Sequence, residues 1–234
     1  MAVAPSEGAP GSLEGACSKG TTRTQTLQVY FQATVLRRLA AQSIPPWWTC
    51  GPMSHRPLLP MRPCRVEHGG AARNPIGIDI SPLAIEVCRR QGLKDARMLS
   101  ITQVSPNLGR FDTLLMLGNN FGLMGNFTRA KWLLKRFHRT TTPRARIIAE
   151  STDPYQTTEP FHLDYHDWNR RRGRLPGQVR IRVRYKKYVT PWFDYLFVSR
   201  DEMQQILDGT GWRVKQFIDS SAAQYIAMVE KTGV

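Results

Sequence analysis

Hydrophobic positions follow two regimes along the chain, and the change comes near residue 75. Beyond it, short apolar runs alternate with segments of helical period, the pattern of successive βα units. Residues 76–80, Ile-Gly-Ile-Asp-Ile, predict a buried strand with Asp79 at its end. Ser81 is placed to cap the following helix, with Pro82 at the first helical position, where its missing N–H costs nothing. The i, i+4 pairs Leu83/Val87 and Ala84/Cys88 predict one apolar side of that helix. Arg89 and Arg90 suit its negative end, and Gly92 stops it.

Residues 96–101 predict a third strand and residues 111–118 a fourth, in which Leu114, Leu115, Met116 and Leu117 are buried on both faces. Asn126 is placed to cap a helix with Phe127, Ala130, Leu133, Leu134 and Phe137 on one side, and Pro143 prevents its continuation. A fifth strand over residues 144–151 carries Glu150 at its end, and residues 152–177 read as irregular. Val179, Ile181, Val183 and Tyr185 alternate with Arg180, Arg182, Arg184 and Lys186, which predicts a strand with one cationic side. Its partner returns through residues 193–198. Ser199 and Glu202 form a capping box, with Val198 packing on Met203, and Met203, Ile206 and Leu207 facing inward. Residues 212–218 and 224–230 predict a final antiparallel pair.

Before residue 75 the pattern is poor. Leu27, Phe31, Val35 and Leu39 form an i, i+4 row that predicts a helix over residues 27–41. Prolines from Pro45 to Pro63 then exclude long regular elements, and no run there reads as a strand. The expected organisation is an irregular segment over residues 1–74, then one α/β domain over 75–234 with an insertion at 152–198.

Composition narrows the picture. A chain of 234 residues suffices for one such domain with a full core. No apolar run approaches the length of a membrane span, and no basic start precedes an apolar stretch, so neither a membrane protein nor a secretory leader is expected. Cys17, Cys50, Cys64 and Cys88 lack ligand spacing, which fits reduced thiols in the cytoplasm. The 33 Lys and Arg against 18 Asp and Glu give a formal charge of +15, which attracts anionic partners. With no RNP, zinc-finger or helix-turn-helix signature, nucleic acid remains the weaker expectation, and solvated cationic faces the stronger.

A strand, an acid at its carboxyl end and a helix make half of a βαβ unit, and ligands of open α/β sheets bind at that edge. A carboxylate there accepts two hydrogen bonds from adjacent hydroxyls, which is what a ribose offers. The stretch IGIDISPLAIEVCRRQG, followed by FDTLLMLGNNFGL, resembles the class I S-adenosylmethionine-dependent methyltransferases from residue 75 to the C-terminus. The resemblance implies a Rossmann-like, three-layer α/β sandwich with a degenerate N-terminal part and antiparallel C-terminal strands. It also implies methyl transfer from S-adenosylmethionine to an unidentified small-molecule or macromolecular acceptor. Asp79 matches the acid that holds the ribose hydroxyls; Ile80, Thr102, Leu117, Gly118 and Asn119 fall around the cofactor, and Asn120 toward the acceptor.

One departure stands out. The first strand and the acidic, glycine-rich turn that the family places before Asp79 have no recognisable counterpart, since Glu67-His-Gly-Gly-Ala lies too near Ile76 to leave room for a helix, so the first βα unit is expected to be absent or replaced. Met61-Arg-Pro-Cys-Arg, written in GC-rich codons and read one base later, becomes Cys-Gly-Arg-Ala-Gly, close to the missing turn. The chain as written is therefore expected to bind S-adenosylmethionine weakly. Rival readings are a non-catalytic partner protein of the same fold, a basic nucleic-acid-binding module, and another dinucleotide enzyme. His162, Tyr165 and His166 are the candidate bases for an acceptor that must lose a proton. His162 and His166 have a metal-binding spacing, but no third ligand accompanies them, so no metal is expected.

Overall fold

A computed structural model describes residues 25–29, 75–185, 188–219 and 223–232 of the chain. Strand β1 (Thr26–Val29) pairs in parallel with both β2 (Pro75–Asp79) and β4 (Phe111–Met116). β3 (Asp95–Met98) flanks β2, and the long β5 (Thr141–Thr152) flanks β4, again in parallel. Beyond β5, β11 (Gln224–Lys231) runs antiparallel between β5 and β10 (Trp212–Asp219). The resulting order in the seven-stranded sheet, β10-β11-β5-β4-β1-β2-β3, puts β1 at the centre of its five parallel strands. The order reverses between β1 and β4, the switch point at which open α/β sheets hold ligands.

β1 corrects both the helix expected from Leu27 and the expected absence of a first strand before residue 75. Leu27 is fully buried and pairs opposite Ile76 and Leu114, so sheet burial overrides the i, i+4 row. Asp112 secures the entry to β1 through its Oδ2, which accepts the Gln25 N–H at 2.8 Å, while its Oδ1 takes the Thr142 hydroxyl at 2.7 Å. The rest of the expected helix, residues 30–41, and residues 61–65 lie outside the described residues.

Helix α1 (Pro82–Arg90) starts as its sequence dictates, with the Ser81 hydroxyl accepting from the Ala84 N–H. Its buried side is Ala84, Ile85 and Cys88, which pack with Leu93 and Ala96; Leu83, expected inside, is 57% exposed. Helix α2 (Phe127–Arg139) is capped by Asn126 and buries Ala130, Leu133, Leu134 and Phe137 in the main core. Those four are among the five expected positions; Phe127 is only partly buried against the same core. β5 begins at Thr141 and runs through Pro143, so the proline that stops α2 sits inside the strand.

The span over residues 152–177, expected to be irregular, contains helix α3 (Pro160–Arg171). The expected cationic hairpin is two short ones: β6 (Gln178–Ile181) pairs with β9 (Phe193–Leu196), and β7 (Arg184–Tyr185) with β8 (Tyr188–Val189). Arg180, Arg182 and Arg184 are exposed, as the alternation requires. Helix α4 (Arg200–Leu207) carries the complete Ser199/Glu202 capping box and packs on α2 and β10. No helix among the described residues is long and apolar enough to cross a membrane.

Candidate active site

The carboxyl ends of β1, β2, β4 and β5 share one edge of the sheet. Asp79 is the last residue of β2 and is buried. Its Oδ1 accepts the Ser81 N–H at 2.7 Å, whereas its Oδ2 is buried with no hydrogen-bond partner among the described residues. Burial pushes the carboxyl up to about 6, against the Ser81 and Ile80 N–H groups that pull it down. An unmet acceptor of this kind costs free energy until a donor arrives. Ile80 turns outward and is 65% exposed.

The Asp79 carbonyl accepts the Leu99 N–H at 2.9 Å, which ties the segment after β3 to the end of β2. There the 3-10 turn Ile101–Gln103 is fixed by a capping box between Ser100 and Gln103. The Ser100 and Thr102 hydroxyls lie 2.9 Å apart, so Thr102 belongs to the same end of the sheet as Asp79.

After β4 the chain turns sharply through Leu117, Gly118 and Asn119, the last two with φ of 74° and 62°. Glycine takes that conformation freely; asparagine is among the few other residues that tolerate it, and here three contacts hold it in place. The Gly118 N–H donates to Glu150 Oε2 at 2.8 Å, the Thr152 hydroxyl donates to Asn119 Oδ1 at 2.9 Å, and the Tyr195 hydroxyl donates to the Asn119 carbonyl. Asn120 follows, buried, at the start of the 3-10 turn Asn120–Met124. Inside that turn Gly122 faces the Tyr195 ring so closely that a β-carbon would lie 2.1 Å from it.

Asp79 and Thr102 thus share one part of the edge, and Leu117 to Asn120 another. The candidate bases are on α3. His162 Nδ1 is 2.8 Å from the Thr157 hydroxyl, and Tyr165 packs on Trp168. His166 is buried beside Tyr155, and its Nδ1 has no partner among the described residues. Burial holds His166 below the usual imidazole range, helped by Arg170 and His162. Tyr155 donates to Glu202 Oε1 at 2.7 Å, and burial followed by Glu202 pushes its hydroxyl up to about 12. Among the described residues no group of His, Cys, Asp and Glu is arranged to hold a metal ion.

Glu150, Thr152 and Tyr195 were given no role by the sequence. The end of β5 was visible for Glu150, but Tyr195 reaches Asn119 across 76 residues, and no local signal announces such a contact.

No protein-family model matches the sequence, nor does any curated protein. Solved structures do resemble it. A SAM-dependent methyltransferase from Bacteroides fragilis, in complex with S-adenosyl-L-homocysteine, has a TM-score of 0.55 at 24% identity. That likeness covers 68% of this chain and 63% of that one, so the chain spans less than two thirds of that enzyme's length. A SAM-dependent methyltransferase from Methanosarcina mazei has a TM-score of 0.54 at 11% identity, covering 88% of this chain and 92% of its own. An S-adenosylmethionine-dependent methyltransferase from Clostridium acetobutylicum has a TM-score of 0.51 at 10% identity, covering 90% and 85%. With its sheet order and switch point, the chain has the fold of the class I S-adenosylmethionine-dependent methyltransferases.

Proposed function

We propose that the chain is an S-adenosylmethionine-dependent methyltransferase of the cytoplasm in which Asp79 binds the cofactor's ribose. The observation that carries this reading is the buried Asp79 Oδ2, which has no donor among the described residues, at the carboxyl end of β2 beside the switch point. Two adjacent ribose hydroxyls match one carboxylate, and their hydrogen bonds to a charged acceptor are of the stronger kind. Thr102 and Ile80 flank that position, and the Leu117–Gly118–Asn119 turn forms the next wall of the edge.

Bound S-adenosylmethionine supplies an electrophilic methyl group that a nucleophile displaces in line. The protein's share of such a reaction is largely alignment and exclusion of water. The three contacts on Gly118 and Asn119 fix the turn that would align the reactants, and the Asn120 amide is placed to orient an acceptor amine or hydroxyl. Where the acceptor must first lose a proton, His166 is the best-suited base of the three on α3, because its depressed pKa leaves the imidazole neutral near pH 7.

Titration calorimetry with S-adenosylhomocysteine tests the reading. Asp79→Ala should weaken binding by about 1–3 kcal/mol, the range for a lost charged hydrogen bond. Equal affinities would remove Asp79 from the site.

A second reading, a binding or partner protein without catalysis, is favoured by one feature. No glycine occurs between Val29 at the end of β1 and Gly51, where the family's close backbone approach to the cofactor requires one. Cofactor binding without methyl transfer to any amine, hydroxyl or carbon acceptor would decide for it.

A further inference from the structure

Strand register fixes which side chains at the carboxyl edge of the sheet share a face. Gln28 of β1 pairs with both Gly77 and Leu115, and Leu115 pairs in turn with Ile148. Side chains alternate along a strand, so Asp79, two residues after Gly77, and Glu150, two after Ile148, lie on the same face. The alternate positions Ile78, Met116 and Ala149 belong to the main core on the other face. Only β1 and β4 separate β2 from β5, which puts those two strands about 14 Å apart. The edge thus carries a carboxylate on either side of the switch point.

Glu150 is tied directly to the turn after β4. Its Oε2 accepts the Gly118 N–H at 2.8 Å, and Thr152, the next residue on that face, donates its hydroxyl to Asn119 Oδ1 at 2.9 Å. Glu150 is only half-buried, and a carboxylate accepts several hydrogen bonds, so the group keeps capacity for a ligand. Bracing the Gly118 N–H needs an oxygen but no charge. The charge itself suits chemistry at the turn. In S-adenosylmethionine the methyl group hangs from the ribose through one carbon and the sulfur. During transfer the C–S electron pair stays on sulfur, the nucleophile bonds to the methyl carbon, and positive charge passes from sulfur to the accepting atom. A neutral amine becomes a cation in that step and sheds its proton to water afterwards. A fixed carboxylate on the acceptor side stabilises that charge, whereas it repels an oxyanion.

We infer that Glu150 faces the transferring methyl group from the acceptor side, and that the acceptor is a neutral amine. The inference rests on the methyltransferase reading. Asp79 anchors the ribose at one end of the reaction axis, and Glu150 holds the developing cation at the other.

Sinefungin tests it, because this nucleoside carries an ammonium group where S-adenosylmethionine carries its methyl. In calorimetry on the full chain, the parent should bind sinefungin at least about tenfold more tightly than S-adenosylhomocysteine, through a charge-assisted hydrogen bond. Glu150→Gln keeps an oxygen for the Gly118 N–H but removes the charge, and should bring the ratio of the two affinities to about one. Thr152→Val loosens the same turn but keeps the charge, and should preserve the ratio even where both affinities fall. A ratio near one in the parent overturns the inference, as does a parent-like ratio in Glu150→Gln. A ratio lost equally in Thr152→Val also overturns it, since the turn alone would then set the preference. Each of these results leaves the cofactor reading standing, because S-adenosylhomocysteine still binds. A parent that binds neither nucleoside overturns both.

Discussion

Asp79 is in conflict with its own surroundings. Burial raises its pKa to about 6, so between about pH 4 and 6 the folded chain keeps a proton that the unfolded chain has released. The folded state therefore binds more protons there, and stability falls as pH rises through that window, by about 3 kcal/mol in all. Asp79→Asn removes the charge but keeps an acceptor for the Ser81 N–H. The variant should be more stable than the parent at pH 7 by about 1–3 kcal/mol and equal to it near pH 4, as read by urea denaturation at the two values. A buried carboxylate that weakens its own fold is what the proposed cofactor role would require. The strand–acid–helix wording made this residue legible from sequence. The Gly118 N–H to Glu150 and Tyr195 to Asn119 contacts were not, because they join segments that meet only once the sheet has formed.

At the scale of elements, tertiary burial decided the cases that local pattern misread. Thr26 to Val29 carries one end of an apolar row with helical spacing, yet it fills the central slot between β2 and β4. Leu27→Ala should therefore cost about 2–5 kcal/mol, the loss for a core leucine; a surface helix would lose less than about 1 kcal/mol. α3 was missed for the opposite reason. Its polar His166 and Asn169 are buried, while Phe161, Leu163 and Trp168 are 68%, 45% and 41% exposed, so its apolar positions mark the wrong side. Asn169 earns its interior place by donating to the carbonyls of Pro176 and Gln178, at 2.9 and 2.7 Å, which anchors the approach to β6. Where pattern and burial agree, as in α2 and in the α4 capping box, the sequence reading stands. In the loop after β4, Gly122→Ala would drive a methyl group into the Tyr195 ring. It should destabilise the fold by about 1–3 kcal/mol and loosen the Asn119 turn, both measurable by denaturation and amide exchange.

For the whole molecule, the charge of +15 calls for an explanation of its own. Arg180, Arg182 and Arg184 are exposed on a short antiparallel ribbon, where a charged row keeps strand edges from pairing with other chains. Changing all three to Gln should leave retention on RNA or DNA at moderate salt unchanged; a large loss with a shallower salt dependence would make the ribbon a nucleic-acid surface. With β1 in place the parallel part of the sheet has its central strand. No glycine follows β1 before Gly51, so on the proposed reading the ribose end of the cofactor would be better held than the methionine end. Binding of S-adenosylmethionine should accordingly be weaker than micromolar. Micromolar affinity would show that the segment after β1 supplies the methionine contacts without glycine.

The pH dependence of S-adenosylhomocysteine binding is the most direct test that Asp79 is the ribose anchor. Calorimetric titrations from pH 5 to 8 on the parent and on Asp79→Asn separate the carboxylate from any titration of the ligand. The parent should bind best above pH 7 and lose affinity below about pH 6, by up to about tenfold per unit, as the Asp79 carboxylate takes up its proton. Asp79→Asn should bind weakly and evenly across the range. A parent affinity that does not change with pH, or a variant that matches the parent at pH 8, would contradict the assignment of Asp79 to the cofactor.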